Sequence, residues 1–360
     1  MSETNTNEIY LSASPHFTQG KSTRKIMATV LISLLPECVY SVVLFGIHAF
    51  VLLLVSVASC IGFEALFQKV TKQKMTVDNL SAAVTGVLLA LVLSSTVPVW
   101  TVVLGAAVAM IVAKGLFGGI GANVFNPALT GRGFLFISFG SAMSMWLNPA
   151  SGANKLSWSL TGASNVDAIS QATALSHIKA GTFVADSGTY LRFLFGNRAG
   201  CMGETAIALI VLSFVFLLVT KIIDWRAPVA MVGTVALCTF AASLAGGTGI
   251  SGACADTLLA LLSGGLLFGA TFMVTDYATT PVTQPGRLLF GFGCGLITFL
   301  IRKFGGYPEG VMFSILIMNA VAPFLNHLTA RKYGYGKRAR HCDIPGADGA
   351  KPAAAQEVNK

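Results

Sequence analysis

Charge is what this sequence has least of. Only 11% of its 360 residues are Asp, Glu, Lys or Arg, whereas 54% are hydrophobic and the mean hydropathy is +0.72. Soluble domains carry about 25% charged residues, so an ordinary globular protein is excluded and the surplus apolar surface needs lipid as its solvent. No Cys-x-x-Cys occurs among the seven cysteines (Cys38, Cys60, Cys201, Cys238, Cys254, Cys294 and Cys342). A self-contained zinc or iron–sulfur site is therefore not expected, and only a cluster shared with a partner chain stays open. There is no His-Glu-x-x-His and no nucleophile–base constellation, which argues against hydrolytic chemistry. The first 23 residues are polar and lack an apolar core, so no cleavable signal peptide is expected. The net charge of +9 gathers at Lys21/Arg24/Lys25 and Arg331/Lys332/Lys337/Arg338/Arg340. Basic clusters at membrane flanks are orientation signals, and no nucleic-acid partner is expected.

What is present in quantity is long apolar runs. Stretches of roughly 17–25 apolar residues cross a bilayer as helices. Ten are read, at residues 26–45, 47–67, 79–96, 98–116, 132–148, 203–222, 227–246, 256–275, 286–303 and 309–329. This is an all-α polytopic membrane protein. Lys69, Lys72 and Lys74, Lys114 and Arg132, and Lys221 and Arg226 flank alternate loops on the side of both termini, which the positive-inside rule makes cytoplasmic. Arg302 and Lys303 dissent. The chain divides into a cytoplasmic segment (1–25), a first membrane repeat (26–148), an external loop (149–202), a second repeat (203–329) and a basic cytoplasmic tail (330–360). Long loops are usually functional, and short strands or turns are expected in this one. Five helices, an outward loop and five more is the arrangement of two repeats inverted in the membrane. PALTGRGFLF (127–136) faintly echoes PVTQPGRLLF (281–290), both rich in helix breakers. Such breaks survive only where protein or a cavity surrounds them, so a ligand is sought there.

Gly247-Thr-Gly249-Ile-Ser-Gly252 matches a dinucleotide fingerprint, but no strand precedes it, and it reads as an interhelical turn. Acids at membrane depth cost about 2.5–3.5 kcal/mol on insertion scales. Asp78, Glu204 and Asp276, at the ends of helices three, six and eight, are candidates for a cation relay, with interfacial capping the plainer role for Asp78 and Glu204. Glu37 and Glu64 lie within the first two helices. In the external loop, VDAISQATALS (166–176) is too short to speak alone.

Five ordered blocks say more: SPHFTQGKSTRKIM (14–27), DNLSAAVTGVLLALVLSSTVPVW (78–100), GGIGANVFNPALTGRGFLF (118–136), FGNRAGCMGET (195–205) and FMVTDYATTPVTQPGRLLFG (272–291). Together they closely resemble the D subunits of Rnf ferredoxin:NAD⁺ oxidoreductase complexes and, more distantly, the B subunits of Na⁺-translocating NADH:quinone reductases. The resemblance implies a urea-transporter-like inverted-repeat fold. It also implies FMN esterified by a flavin transferase through its phosphate to Thr173, within Asp167, Ser170, Gln171, Ala172 and Thr173. Gln171 stands where the family carries glycine. A non-covalent riboflavin within the helices is implied too, for which Asn126, Pro127, Thr130, Gly131 and Arg132, or the Asp276–Arg287 turn, are candidates. The implied role is electron relay in a redox-driven Na⁺ or H⁺ pump of a bacterial or archaeal cytoplasmic membrane. The chain would work beside sibling subunits, one bearing its own FMN, and would not be catalytically complete alone. The alternative is a channel or transporter for a small polar solute on the same fold, which needs no flavin.

Overall fold

The first two helices are amphipathic inside out. In α1 (Thr23–Phe45), Ile32, Leu35, Val39 and Val43 form an exposed apolar stripe while Ser33, Glu37 and Ser41 are buried. In α2 (Ile47–Val70), Ser56, Cys60, Glu64 and Gln68 follow one another at helical spacing into the interior, and Leu54 and Leu66 face out. Apolar side chains outward and polar ones inward are what a lipid-embedded helix requires. Ser22 caps α1 by accepting from Lys25 N, and the chain reverses at Gly46 straight into α2.

The computed structural model describes residues 22–147, 174–179, 188–196, 198–307 and 309–329. The remaining helices, in chain order, are α3 (Ser81–Leu91), α4 (Val99–Ala107), α5 (Pro127–Ser138), α6 (Gly140–Met143), α7 (Ala174–Lys179), α8 (Thr189–Leu194), α9 (Ile207–Val219), α10 (Arg226–Ala245), α11 (Gly249–Leu262), α12 (Leu266–Phe268), α13 (Gln284–Phe304) and α14 (Val311–Thr329). Two continue as π-helix: α4 through Val108–Gly115 and α12 through Gly269–Met273. Among the described residues all regular structure is helical. Five helices (α1, α2, α10, α13 and α14) are long and apolar enough to cross a bilayer, and a sixth span arises if α11 and α12, bent by 62°, count as one. The other predicted stretches hold shorter helices.

Several boundaries differ from those expected, each for a local reason. The fifth helix starts at Pro127 rather than 132, because Asn126 accepts from Leu129 N as N-cap and Pro127 fits the first turn. The sixth starts at Ile207, leaving residues 198–206 as buried non-helical chain. That segment closes the truncated end of α3: Gly203 N donates to Leu91 O at 2.7 Å and Met202 N to Leu93 O at 3.1 Å. A Cβ on Gly203 would lie 2.7 Å from Leu91 Cβ, so only glycine permits this approach. The intervening loop holds two short helices, α7 and α8, where strands or turns were expected.

The chain folds with its two described ends together. Met27 and Val30 at the start of α1 line the same cavity as Asn326 near the end of α14. At the opposite end, Tyr40 donates to Phe195 O at 2.6 Å, and Lys179 donates to the carbonyls of Gly305 and Tyr307. α7 and α8 therefore lie across the bundle from both described ends. The two echoing stretches start α5 and α13 at the same end of the bundle, so they run in the same direction. Inversion mates run oppositely, and this echo does not relate them.

Candidate functional site

The cavity at the chain-end side encloses about 350 Å³, within the size range of small-molecule sites. It collects wall segments from both halves of the chain. Val84, Thr85 and Leu88 come from α3, Asn126, Pro127 and Ala128 from the start of α5, and Phe272, Thr275 and Asp276 from the π stretch after α12 and the turn beyond it. Both π-helical stretches end here, one delivering Lys114 and the other Phe272. An inserted residue in a helix re-aims the side chains that follow, and such bulges concentrate at functional positions. The walls are mostly apolar, with polar groups between them from Ser81, Thr85, Lys114, Asn123, Asn126, Thr275, Asp276, Tyr277, Thr280 and Asn326. Such a lining suits a mainly apolar molecule with a polar edge.

The sequence-predicted residues divide between places. Asn126 and Pro127 line the cavity, and Asp276 stands on its wall with Oδ2 accepting from Thr279 Oγ1 at 3.1 Å. Thr130, Gly131 and Arg132 do not line it. Thr130 bonds back to Asn126 O at 2.9 Å, and Gly131 packs against the backbone of Gly105. Asp78 is exposed in a 3-10 turn, Val77–Asn79, ahead of α3. Glu204 belongs to a second polar centre. The three acids thus do not share one site. Asp167, Ser170, Gln171, Ala172 and Thr173 lie outside the described residues; Thr173 immediately precedes the first residue of α7 in sequence.

The second centre surrounds the α11–α12 break, where Gly264 takes φ +68°. A helix broken inside an apolar body strands backbone groups that must be satisfied internally. Arg302 donates to Ala260 O at 2.7 Å and Ser263 O at 3.1 Å, Arg198 donates to Leu262 O and Glu204 O, and Glu309 accepts from Gly265 N at 2.9 Å. Arg132 ties the group together through Glu309 at 3.0 Å and Cys201 Sγ at 3.3 Å. The free space at its centre is only about 10 Å³. Cys201, Glu204 and Glu309 place ligand atoms within 4.8 Å of one another, as a metal site would, but the Arg132 guanidinium already supplies the cation there.

This geometry corrects the reading of the loop charges. Lys114 and Arg132 are 4% and 8% exposed, so they are ion-paired interior groups, not flanking orientation signals. Arg302, which opposed the charge rule, is consumed by the helix break. The sequence alone singles out neither Glu309 nor Arg198, and it does not pair Lys114 with Glu64. The available signal is a charged residue inside or beside an apolar run, which seldom persists without a partner.

Outward apolar stripes, internally satisfied helix breaks and a ligand-sized cavity define a polytopic helical membrane protein with an interior cavity. Comparison with known proteins narrows this. The chain belongs to the NQR2, RnfD, RnfE family, which it matches over residues 10–334. It is 39% identical over 330 residues to the D subunit of the proton-translocating ferredoxin:NAD(+) oxidoreductase complex of Clostridium ljungdahlii, covering 90% of this chain and 95% of that one. It is 37% identical over 335 residues to the Na(+)-translocating counterpart of Acetobacterium woodii, covering 92% and 98%. The D subunit of the ion-translocating oxidoreductase complex of Stutzerimonas stutzeri is 36% identical over 338 residues, covering 89% and 94%.

Proposed function

We propose that this chain is the flavin-carrying membrane subunit of an ion-translocating ferredoxin:NAD⁺ oxidoreductase complex, relaying electrons between centres held by sibling subunits. It would cross a bacterial or archaeal cytoplasmic membrane in ten passes arranged as two inverted five-helix repeats. Both ends would be cytoplasmic and residues 149–202 external. The shared end of the described termini and the exposed Lys69, Lys72, Lys74 and Lys221 support that orientation. Asp78, Glu204 and Asp276 remain the proposed acids of its ion pathway. Relatives at 39% and 37% identity are named for protons and for Na⁺ respectively, so the overall likeness does not select the ion.

Two flavins complete this reading: FMN esterified to Thr173 by a flavin transferase, and a non-covalent riboflavin in the cavity. The observation that carries it is the cavity itself, built from both halves of the chain at their helix breaks. Its composition fits a flavin. Val84, Leu88, Ile223 and Phe272 suit the apolar edge of the ring system, Asn123 and Asn126 suit the polar edge, and Thr275, Thr280 and Asn326 suit ribityl hydroxyls. A bound flavin would supply one- and two-electron transfer. The chain's own residues exclude water along the apolar walls and orient the polar edge.

The test is made on the whole complex, expressed with the transferase. The subunit's band on a denaturing gel should fluoresce under ultraviolet light, and Thr173→Ala should darken it. Acid extraction should in addition release about one unphosphorylated flavin per complex. A dark wild-type band with no extractable flavin would sink the reading and favour a solute channel.

A further inference from the structure

The cavity wall carries two charged side chains, Asp276 and Lys114, and the pair that Lys114 forms with Glu64 behind it is incompletely satisfied. Lys114 Nζ lies 2.7 Å from Glu64 Oε1 and 2.6 Å from Ser81 Oγ, and both charged side chains are at least nine-tenths buried. Those bonds use two of the three ammonium hydrogens. Glu64 is served less well, since its Oε2 is buried without a partner. Gln68, one turn along α2, does not fill the gap. Its Nε2 donates to Thr76 Oγ1 at 2.7 Å and its Oε1 accepts from Thr76 N at 2.9 Å, leaving Nε2 3.5 Å from Glu64 Oε1. A buried ion pair is a poor means of stabilising a fold, because apolar residues of similar volume do as well or better. This one sits where a ligand would meet it: Lys114 and Ser81 line the cavity with Asn123 and Asn126, and Lys114 is carried there by the π-helical register.

We propose that Lys114 is the charge-compensating residue of the cavity, holding the negative charge that arrives when an uncharged aromatic heterocycle bound there is reduced, and that Glu64 sets how strongly it does so. This rests on the reading of the cavity as a flavin site. In the step concerned, one electron leaves a reduced flavin or iron–sulfur centre on a neighbouring chain and enters the heterocycle. The donor is oxidised by one electron and the heterocycle gains one negative charge, with no proton transferred. A positive charge at the cavity wall favours the reduced form, and the Glu64 carboxylate behind it subtracts from that effect. Removing the two charges must then shift the ligand's potential in opposite directions. A merely structural pair would not do this.

The probe is riboflavin, rebound to purified whole complex from which the extractable flavin has been removed, so that the difference spectrum reports this site alone. Spectroelectrochemical titration of Lys114→Met should give a lower midpoint potential than wild type, and Glu64→Gln a higher one. Equivalently, the preference for reduced over oxidised riboflavin should fall about tenfold or more in the first and rise in the second. Should Lys114→Met fail to assemble with Glu64 left unpaired, Glu64→Gln is compared with the double variant Glu64→Gln/Lys114→Met, which buries no lone charge and must lie lower. Unmoved potentials, or shifts of one sign, overturn the role of Lys114 while leaving the flavin reading intact. A wild-type complex that neither yields flavin nor rebinds riboflavin overturns both.

Discussion

Two polar centres sit inside the same apolar body, and they have been put to opposite uses. Around the α11–α12 break, Arg132, Arg198, Arg302, Glu204 and Glu309 bond to one another or to the backbone of the break, with about 10 Å³ left over. Around the cavity, Lys114, Asn123, Asn126, Thr275 and Asn326 are set beside about 350 Å³ of space. Charge alone does not distinguish them, because the richer cluster is the one that is full. Free volume distinguishes them, since the filled centre too keeps unpartnered donors at Arg132 Nε and Arg302 Nε but has no space beside them. In these two centres the polar groups either complete a backbone that has been broken or face a space that a ligand can enter.

If the filled centre is structural, disturbing it should cost stability first. Arg132→Met removes the ion-pair partner of the partly buried Glu309, which keeps Gly265 N, and breaking a buried pair costs up to about 3–5 kcal/mol. The expected outcome is loss of folded subunit in detergent, followed by thermal unfolding or limited proteolysis. Normal stability with loss of the extractable flavin would reverse the assignment of the two centres. Gly203→Ala forces the 198–206 segment away from α3, and overpacking of that kind costs about 1–3 kcal/mol. It should lower the unfolding temperature without touching the cavity walls.

The cavity should respond in the other sense, with binding lost before stability. Ala128 is buried on its wall, and Ala128→Leu fills part of the space. Non-covalent flavin retained through purification should fall about tenfold, a difference of about 1.4 kcal/mol, while fluorescence of the attached flavin at Thr173 persists. Equal loss of both would mean that the variant had disturbed folding instead.

The smallest effect is expected outside both centres. Asp224, in the turn between α9 and α10, accepts from Arg287 at 2.8 Å and from Arg226 at 2.9 Å. Burial pushes its carboxyl up, but the hydrogen bond from Arg287 and those from Arg226 outweigh it and hold it below the ordinary 3.8. A carboxyl lowered on folding contributes stability that is present above the unfolded value and is lost as pH falls through the folded one. Arg287→Gln should therefore cost about 1 kcal/mol or less near neutral pH. That difference should vanish in strongly acidic buffer, as urea or thermal midpoints measured at both pH values would register.

The stretches at 26–45, 47–67, 227–246, 286–303 and 309–329 were legible because a long apolar run has no other stable place than a membrane-spanning helix. Asn126-Pro127 and Thr283 with Pro285 start helices through side-chain capping and proline in the first turn, local signals that run length passed over in placing the fifth helix at 132. The charged residues were legible as unusual and illegible in purpose. Lys114 and Arg132 looked like loop charges because each stands at the edge of an apolar run. What buries them is Glu64, 50 residues away from Lys114, and Glu309, 177 residues away from Arg132.

Composition and hydrophobic run length by themselves made this chain a helical membrane protein, since transfer of apolar surface is a property of short segments, but they read 256–275 as one span where the structure breaks it at Gly264. Which breaks would be sealed and which would frame a cavity was decided only in three dimensions. A broken helix end is completed by whatever donors and acceptors the rest of the chain brings beside it, and a space between helices exists only when several such ends fail to close on one another.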